Sequence, residues 1–346
     1  MESGLKQIAR RATSPFLIAL AVAIWAVPFE GTAYSFAGRR GRVTIAAHLN
    51  NSTFNAHWQR AHNPKAPALP VPARFREVEG RGLLVKVWIN NSGPYSFAID
   101  TGAGATIISK RVASESKIVP AGASHVSLSG LSGTSGAGGR EASLRNLAIG
   151  ARDNILPGKG LVIVTDALPP DLDGVLDPTE SYWPLGYTLD LPNDTISAFD
   201  PRETPLWGLS APPGGAIVQW FFDASSRRPF VSLDAGQQRA LLDTGSGLAI
   251  SENDTRSLGI IATRGRERAA GVRDFGRGRI NARRVEPITI QIGALTLRRI
   301  PTDLLTGTAS GAPVLLGRDA LRPFEISFDP INRLIRLRPG SAPNGR

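Results

Sequence analysis

The tripeptide Asp-Thr-Gly occurs twice in this chain, at Asp100-Thr101-Gly102 and at Asp243-Thr244-Gly245. Each copy closes an apolar run, Phe97-Ala98-Ile99 in the first case and Ala240-Leu241-Leu242 in the second. One such tripeptide constrains little. Two in matched settings constrain a great deal, because other landmarks keep step with them. Leu147-Ala148-Ile149-Gly150 and Ile290-Gln291-Ile292-Gly293 are 143 residues apart, as the tripeptides are. The later segments Pro184–Asn193 and Pro323–Asn332 are 139 apart. Regular order at a long period is the mark of an internal repeat.

Each half runs through the same signals. An alternating strand opens it, at Leu83–Ile89 and at Phe230–Leu233. A turn and a second strand lead to the tripeptide. A short helix-compatible stretch follows, at Ser109–Lys117 and Ser251–Leu258. A Gly-rich segment suited to a hairpin tip comes next, at Ser127–Gly139 and Gly271–Gly278. The Ile-Gly turn, an apolar strand and a hairpin at Asp190–Asn193 or Asp329–Asn332 complete the half. Short strands and frequent turns predict an all-β fold with few short helices, not alternating βαβ units. The 37 glycines and 26 prolines fit that reading, and 42% apolar residues supply a core. There is no cysteine, which excludes disulfides, a thiol nucleophile and thiolate metal sites.

The chemistry follows from the repeat. An aspartate on a tight loop at a strand end can face a cleft. Its glycine allows the sharp turn and a close backbone approach. Its threonine hydroxyl can bond across to the partner loop. Two such loops would bring Asp100 and Asp243 together. Like charges that close cannot both ionise, so the pair shares one proton. One member then activates water as a base and the other polarises a carbonyl as an acid. No cofactor and no metal is needed. His48, His57 and His62 have no metal-ligand spacing.

On these residues the chain resembles the aspartic proteases, in particular the retropepsin-like branch found in bacteria. The segments are Phe97–Ala103, Leu241–Ser246 and Val314–Phe324; the last looks like the family's apolar-apolar-glycine signature, with Leu315-Leu316-Gly317. The resemblance spans Arg76 to Pro339. It implies a bilobal fold of two retropepsin-like β domains related by a pseudo-twofold axis. Asp100 and Asp243 would be the catalytic dyad, supported by Thr101, Gly102, Thr244, Gly245 and Ser246. Both copies lie in one chain, so no oligomer is required for catalysis. Implied activity is that of an aspartic endopeptidase acting on protein or peptide substrates. The first half departs from the signature. It has Gly174-Val175-Leu176-Asp177, with Asp177 where glycine belongs. Either the signature has drifted or Gly174 serves in a shifted register; a charged residue behind the loop could perturb Asp100, and the expectation is the milder one, a tolerated variation with the Asp177 side chain turned to solvent. A catalytically inactive bilobal peptide-binding protein is the alternative that Asp177 keeps open.

The expected division is a leader at 1–37, a linker or propeptide-like lead at 38–76, lobes at 77–204 and 205–340, and a tail at 341–346. Lys6, Arg10 and Arg11 precede an uncharged stretch from Ala12 to Phe29, and Ser35-Phe36-Ala37 offers small residues for cleavage. That predicts export, to a bacterial periplasm or beyond, with the segment removed or kept as a membrane anchor. The net charge of +11 is mostly arginine, and the arginines are scattered. The densest run, Arg264–Arg284, matches no nucleic-acid module, so nucleic acid is not an expected partner. A serine hydrolase is disfavoured at Ser109, Ser246 and Ser251, since no Gly-x-Ser-x-Gly elbow surrounds them.

Overall fold

Strands dominate because β-branched and alternating apolar residues recur between turn signals. The computed structural model describes residues 68–340, apart from 134, 224–225, 235–237, 247–248, 252–271, 274–278 and 310–311. The leader and most of the lead lie outside the described residues. So do the tail, the stretch 252–258 and most of the second Gly-rich segment. No helix among the described residues is long and apolar enough to cross a membrane.

The first half carries β1 (Ala73–Val78), β2 (Gly82–Ile89), β3 (Ser92–Ile99), β4 (Thr106–Ser109), β5 (Pro120–Ser129), β6 (Ser135–Ser143), β7 (Leu147–Ile149), β8 (Leu161–Thr165), β9 (Gly174–Leu176), β10 (Gly186–Asp190) and β11 (Thr195–Phe199). Its helices are α1 (Lys110–Glu115) and α2 (Pro178–Tyr182). The second half carries β12 (Ala216–Gln219), β13 (Phe221–Asp223), β14 (Ser226–Leu233), β15 (Gln238–Asp243), β16 (Ala249–Ser251), β17 (Val272–Arg273), β18 (Arg279–Ile292), β19 (Leu295–Thr306), β20 (Val314–Gly317), β21 (Phe324–Asp329) and β22 (Leu334–Pro339), with α3 (Arg318–Leu321). The fold is all-β with a few short helices.

One pairing order occurs in both halves. β3 runs parallel to β9, β9 antiparallel to β4, and β4 parallel to β8. Likewise β15 runs parallel to β20, β20 antiparallel to β16, and β16 parallel to β19. The strand that leads into each Asp-Thr-Gly is therefore clasped by the strand that carries the later apolar-apolar pair. Registers agree as well: Ile99 faces Leu176 as Leu242 faces Leu316. This excludes the shifted register for Gly174. A side chain there would strike the Phe97 ring, since an added Cβ lies 2.2 Å from a ring carbon.

A second sheet region joins the halves. β10 and β21 pair antiparallel, with Tyr187 opposite Phe328 and Leu189 opposite Ile326. β11 and β1 continue it on one side, β22 and β12 on the other. Its hairpins turn where the sequence placed them. Asp190 Oδ1 accepts from Asn193 N and Asp329 Oδ1 from Asn332 N. The next residues, Asp194 and Arg333, take positive φ of 56° and 54°. Side chains that fold back onto their own turn make such hairpins locally determined.

Aromatic residues fill the junction. Tyr187 stacks on Phe328 at 4.6 Å and on Tyr182 at 5.7 Å, and Trp220 meets Phe328 edge-on at 5.9 Å. Trp220 and Tyr187 are fully buried, with Trp220 Nε1 donating to Arg228 O and the Tyr187 hydroxyl bonded to Thr179 Oγ1. Large rings with satisfied polar tips are a strong source of burial free energy. This apolar cluster contains residues of both halves.

Candidate active site

The two Asp-Thr-Gly loops meet at the junction. β3 ends at Ile99, and Asp100 N donates to Leu176 O at 3.0 Å, so β9 holds the loop in place from behind. β15 carries Asp243 to its last position, opposite Gly317. Within each loop the glycine N–H caps its own aspartate: Gly102 N to Asp100 Oδ1 and Gly245 N to Asp243 Oδ1, both 2.8 Å.

The threonines tie one loop to the other. Thr101 Oγ1 donates to Leu242 O at 2.6 Å and accepts from Thr244 N at 3.1 Å. Thr244 Oγ1 donates to Ile99 O at 3.1 Å and accepts from Thr101 N at 3.2 Å. Both threonines are fully buried. Each hydroxyl thus satisfies one backbone carbonyl and one backbone N–H of the opposite half.

That arrangement brings the carboxyl groups of both Asp100 and Asp243 close to Gly102. A Cβ on Gly102 would lie 2.9 Å from Asp243 Cγ and 3.3 Å from Asp100 Oδ1. Both aspartates are buried, and Asp100 Oδ2 has no hydrogen-bond partner among the described residues. Burial, and then the charge of Asp243, push Asp100 well above the usual carboxylate range. Asp243 is raised by burial too, but is held back by its neighbour Asp100, by the Gly245 N–H, by the Ser246 hydroxyl and by the Arg318 guanidinium. Ser246 is buried, its N–H donates to Asp243 O at 3.3 Å, and its own carbonyl accepts from Arg318 N at 2.8 Å. All seven residues singled out in the sequence therefore fall in this one cluster.

Asp177 differs from its expectation. Its side chain is buried, not turned to solvent. It caps α2, with Oδ1 accepting from Thr179 N at 2.8 Å and Glu180 N at 3.4 Å, and its own N–H donates to Thr106 Oγ1. Burial, then the charge of Glu180, raise it to about 7. The cap was readable: Asp177-Pro178-Thr179-Glu180 has an N-cap residue, proline at the first helical position and glutamate at the third.

Two further features escaped the sequence reading. The β5–β6 hairpin of the first half reaches the second half at its tip. Leu131 is buried in one apolar cluster with Leu241, Leu305 and Leu315, and Leu131 O accepts from Ala309 N at 2.8 Å. Arg227 of β14 pairs with Glu180 of α2 at 2.8 Å and lies over the Trp183 ring at 4.0 Å. Elsewhere, His125 is an exposed residue of β5, and Ser109 caps α1 by accepting from Val112 N. Among the described residues no group of three or more histidine and carboxylate side chains is arranged to hold a metal ion.

Comparison with known proteins agrees with the first loop. Residues 85–176 match the model of the family described as aspartyl protease. The match contains Asp100-Thr101-Gly102 and ends at Leu176, one residue before Asp177. No curated protein matches the chain. This match and the strand pairing around it support, for the segment 85–176, an aspartic protease family of retropepsin type.

Proposed function

We propose that the chain is an aspartic endopeptidase whose dyad is Asp100 and Asp243. The observation that carries this is the reciprocal Thr101–Thr244 tie, which holds the loops of two buried carboxyl groups together beside Gly102. Two carboxyls in so dry a place retain one proton between them. The ionised member takes a proton from a water as its oxygen attacks the scissile carbonyl carbon. The protonated member gives its proton to the carbonyl oxygen. Breakdown returns a proton to the departing amide nitrogen and breaks the C–N bond. The buried Asp100 Oδ2, without a hydrogen-bond partner among the described residues, supports this reading, because it is a place for the shared proton.

The proposal extends to the setting. The two halves are a duplicated retropepsin-like lobe, so one chain supplies both aspartates. The basic and then apolar N-terminal stretch exports the protein, and substrates are proteins or peptides met outside the cytoplasm. The test is direct. Asp100→Asn and Asp243→Asn, each folded as judged by circular dichroism, should cut an unfolded protein substrate at least about 10³-fold more slowly than the wild type. Full activity in either variant sinks the proposal. The second reading, a peptide-binding protein without catalysis, is favoured by the buried Asp177 at the place of a glycine. It predicts that the wild type binds a transition-state-mimicking peptide yet cleaves nothing at any pH.

A further inference from the structure

Behind the two aspartates the halves differ in charge. β9 places Asp177 in the position next to Asp100 that β20 gives to Gly317 next to Asp243. Adjacent strands lie about 4.8 Å apart, so the Asp177 backbone is the immediate neighbour of Asp100. On the other side, Gly317 is followed by Arg318. Its side chain is buried, 3.5 Å from Glu77 Oε1, and its Nε has no hydrogen-bond partner among the described residues. A buried carboxyl therefore follows the strand behind Asp100, and a buried arginine follows the strand behind Asp243, its guanidinium reaching to Glu77 of β1.

We propose that Asp177 is a positioning residue for the dyad, which once charged holds the shared proton on Asp100, making Asp100 the acid and Asp243 the base. The inference rests on the dyad reading above. A negative group beside one carboxyl of a pair disfavours its ionisation, and a positive group beside the other favours it. The opposed effects of Asp177 on Asp100 and of Arg318 on Asp243 agree in direction. Other ionisable groups around Asp177 are Glu180 on its own helix, Arg227 from β14, and the Tyr187 hydroxyl from β10. Arg227 is paired with Glu180, which leaves Asp177 without a dedicated cation. Around Arg318 stands Glu77 from β1, itself shared with Arg322. Because Asp177 acquires charge only near neutrality, its influence falls at the upper end of the pH range. There it resists loss of the Asp100 proton and extends the monoprotonated dyad to higher pH.

Asp177→Asn tests this in the full-length protein. Asparagine keeps an oxygen for the Thr179 and Glu180 N–H groups while removing the charge. Two readouts are compared with the wild type. One is the pH profile of kcat/KM on an unfolded protein substrate. The other is the titration of aspartate ¹³Cγ signals by NMR, assigned through Asp100→Asn and Asp243→Asn. The basic limb and the Asp100 titration should both move to lower pH by about half a unit or more. A merely structural role lowers kcat at every pH and leaves both midpoints in place. An unmoved Asp100 titration in the folded variant overturns the inference. Should Asp177→Asn not fold, Asp177→Ser, another capping residue, carries the same comparison. If the wild type cleaves nothing while the Asp100 signal moves as stated, the protease reading fails and the assignment of the proton stands.

Discussion

Thr101 Oγ1 and Thr244 N lie 3.1 Å apart, and the reverse pair, Thr244 Oγ1 and Thr101 N, would be related to it by a twofold axis through the junction. The relationship has an energetic consequence. Replacing Thr101 with valine keeps the shape but strands Leu242 O and Thr244 N, both of which lose a buried partner. Each orphaned group costs about 1–3 kcal/mol. Thr101→Val should therefore lose about 2–5 kcal/mol of stability in urea unfolding. Proteolysis should fall about 10²-fold, since the two carboxyls are no longer held in one geometry. A variant with wild-type activity would show that the tie is dispensable.

Gly102 makes a narrower prediction. A methyl group there would sit 2.9 Å from Asp243 Cγ, inside van der Waals contact, so the carboxyl must shift. Gly102→Ala should fold but lose about 10²-fold or more in kcat, with little change in KM, because substrate contacts elsewhere are untouched. Steady-state kinetics on a short peptide would decide between this and an effect on binding.

The buried carboxyl of Asp177 predicts a pH dependence of stability. Its folded value is raised to about 7 from an ordinary 3.8, so the folded state binds the proton more tightly than the unfolded chain. Stability from this group is thus full below about pH 4, falls as pH rises toward 7, and is level above that. The loss is on the order of 4 kcal/mol. Asp177→Asn removes that slope. Its advantage over the wild type in urea unfolding should grow between pH 4.5 and pH 8; a constant difference across that range would contradict the burial of a titrating group.

Leu131 connects the hairpin to the other half. Leu131→Ala weakens a contact with Leu241, Leu305 and Leu315 and leaves the dyad itself alone. The hairpin tip should then sample open positions more often. KM for a peptide substrate is expected to rise about tenfold with a smaller change in kcat, and amide exchange at 126–133 should speed up.

What the sequence disclosed was mostly local. The glycine after each Asp-Thr pair, the hairpins at Asp190 and Asp329, and the turn glycines Gly150 and Gly293, at φ of 72° and 56°, depend on residues a few positions apart. The meeting of Asp100 with Asp243 was legible only because the same tripeptide occurs twice in matched settings. The Leu131 contact was not legible. It joins residues more than 100 positions apart through packing, and nothing in the hairpin sequence names its partner. Asp177 is a different case. Its capping pattern is local and present in Asp177-Pro178-Thr179-Glu180, whereas the burial of that cap depends on the strands packed around it. Pairing of β10 with β21 belongs with Leu131, since any amphipathic strand can pair with any other and the choice is made by the whole fold.

The sheet that runs through β10 and β21, and the aromatic stack upon it, have a mechanical consequence. Rigid bodies that share a continuous hydrogen-bonded sheet and one apolar core have no hinge between them. Opening the molecule like a book would break the Tyr187–Phe328 stack and the strand ladder together. Any opening near the Asp100–Asp243 pair would therefore have to come from loops and hairpin tips, such as the one at Leu131, and not from a swing of one half against the other.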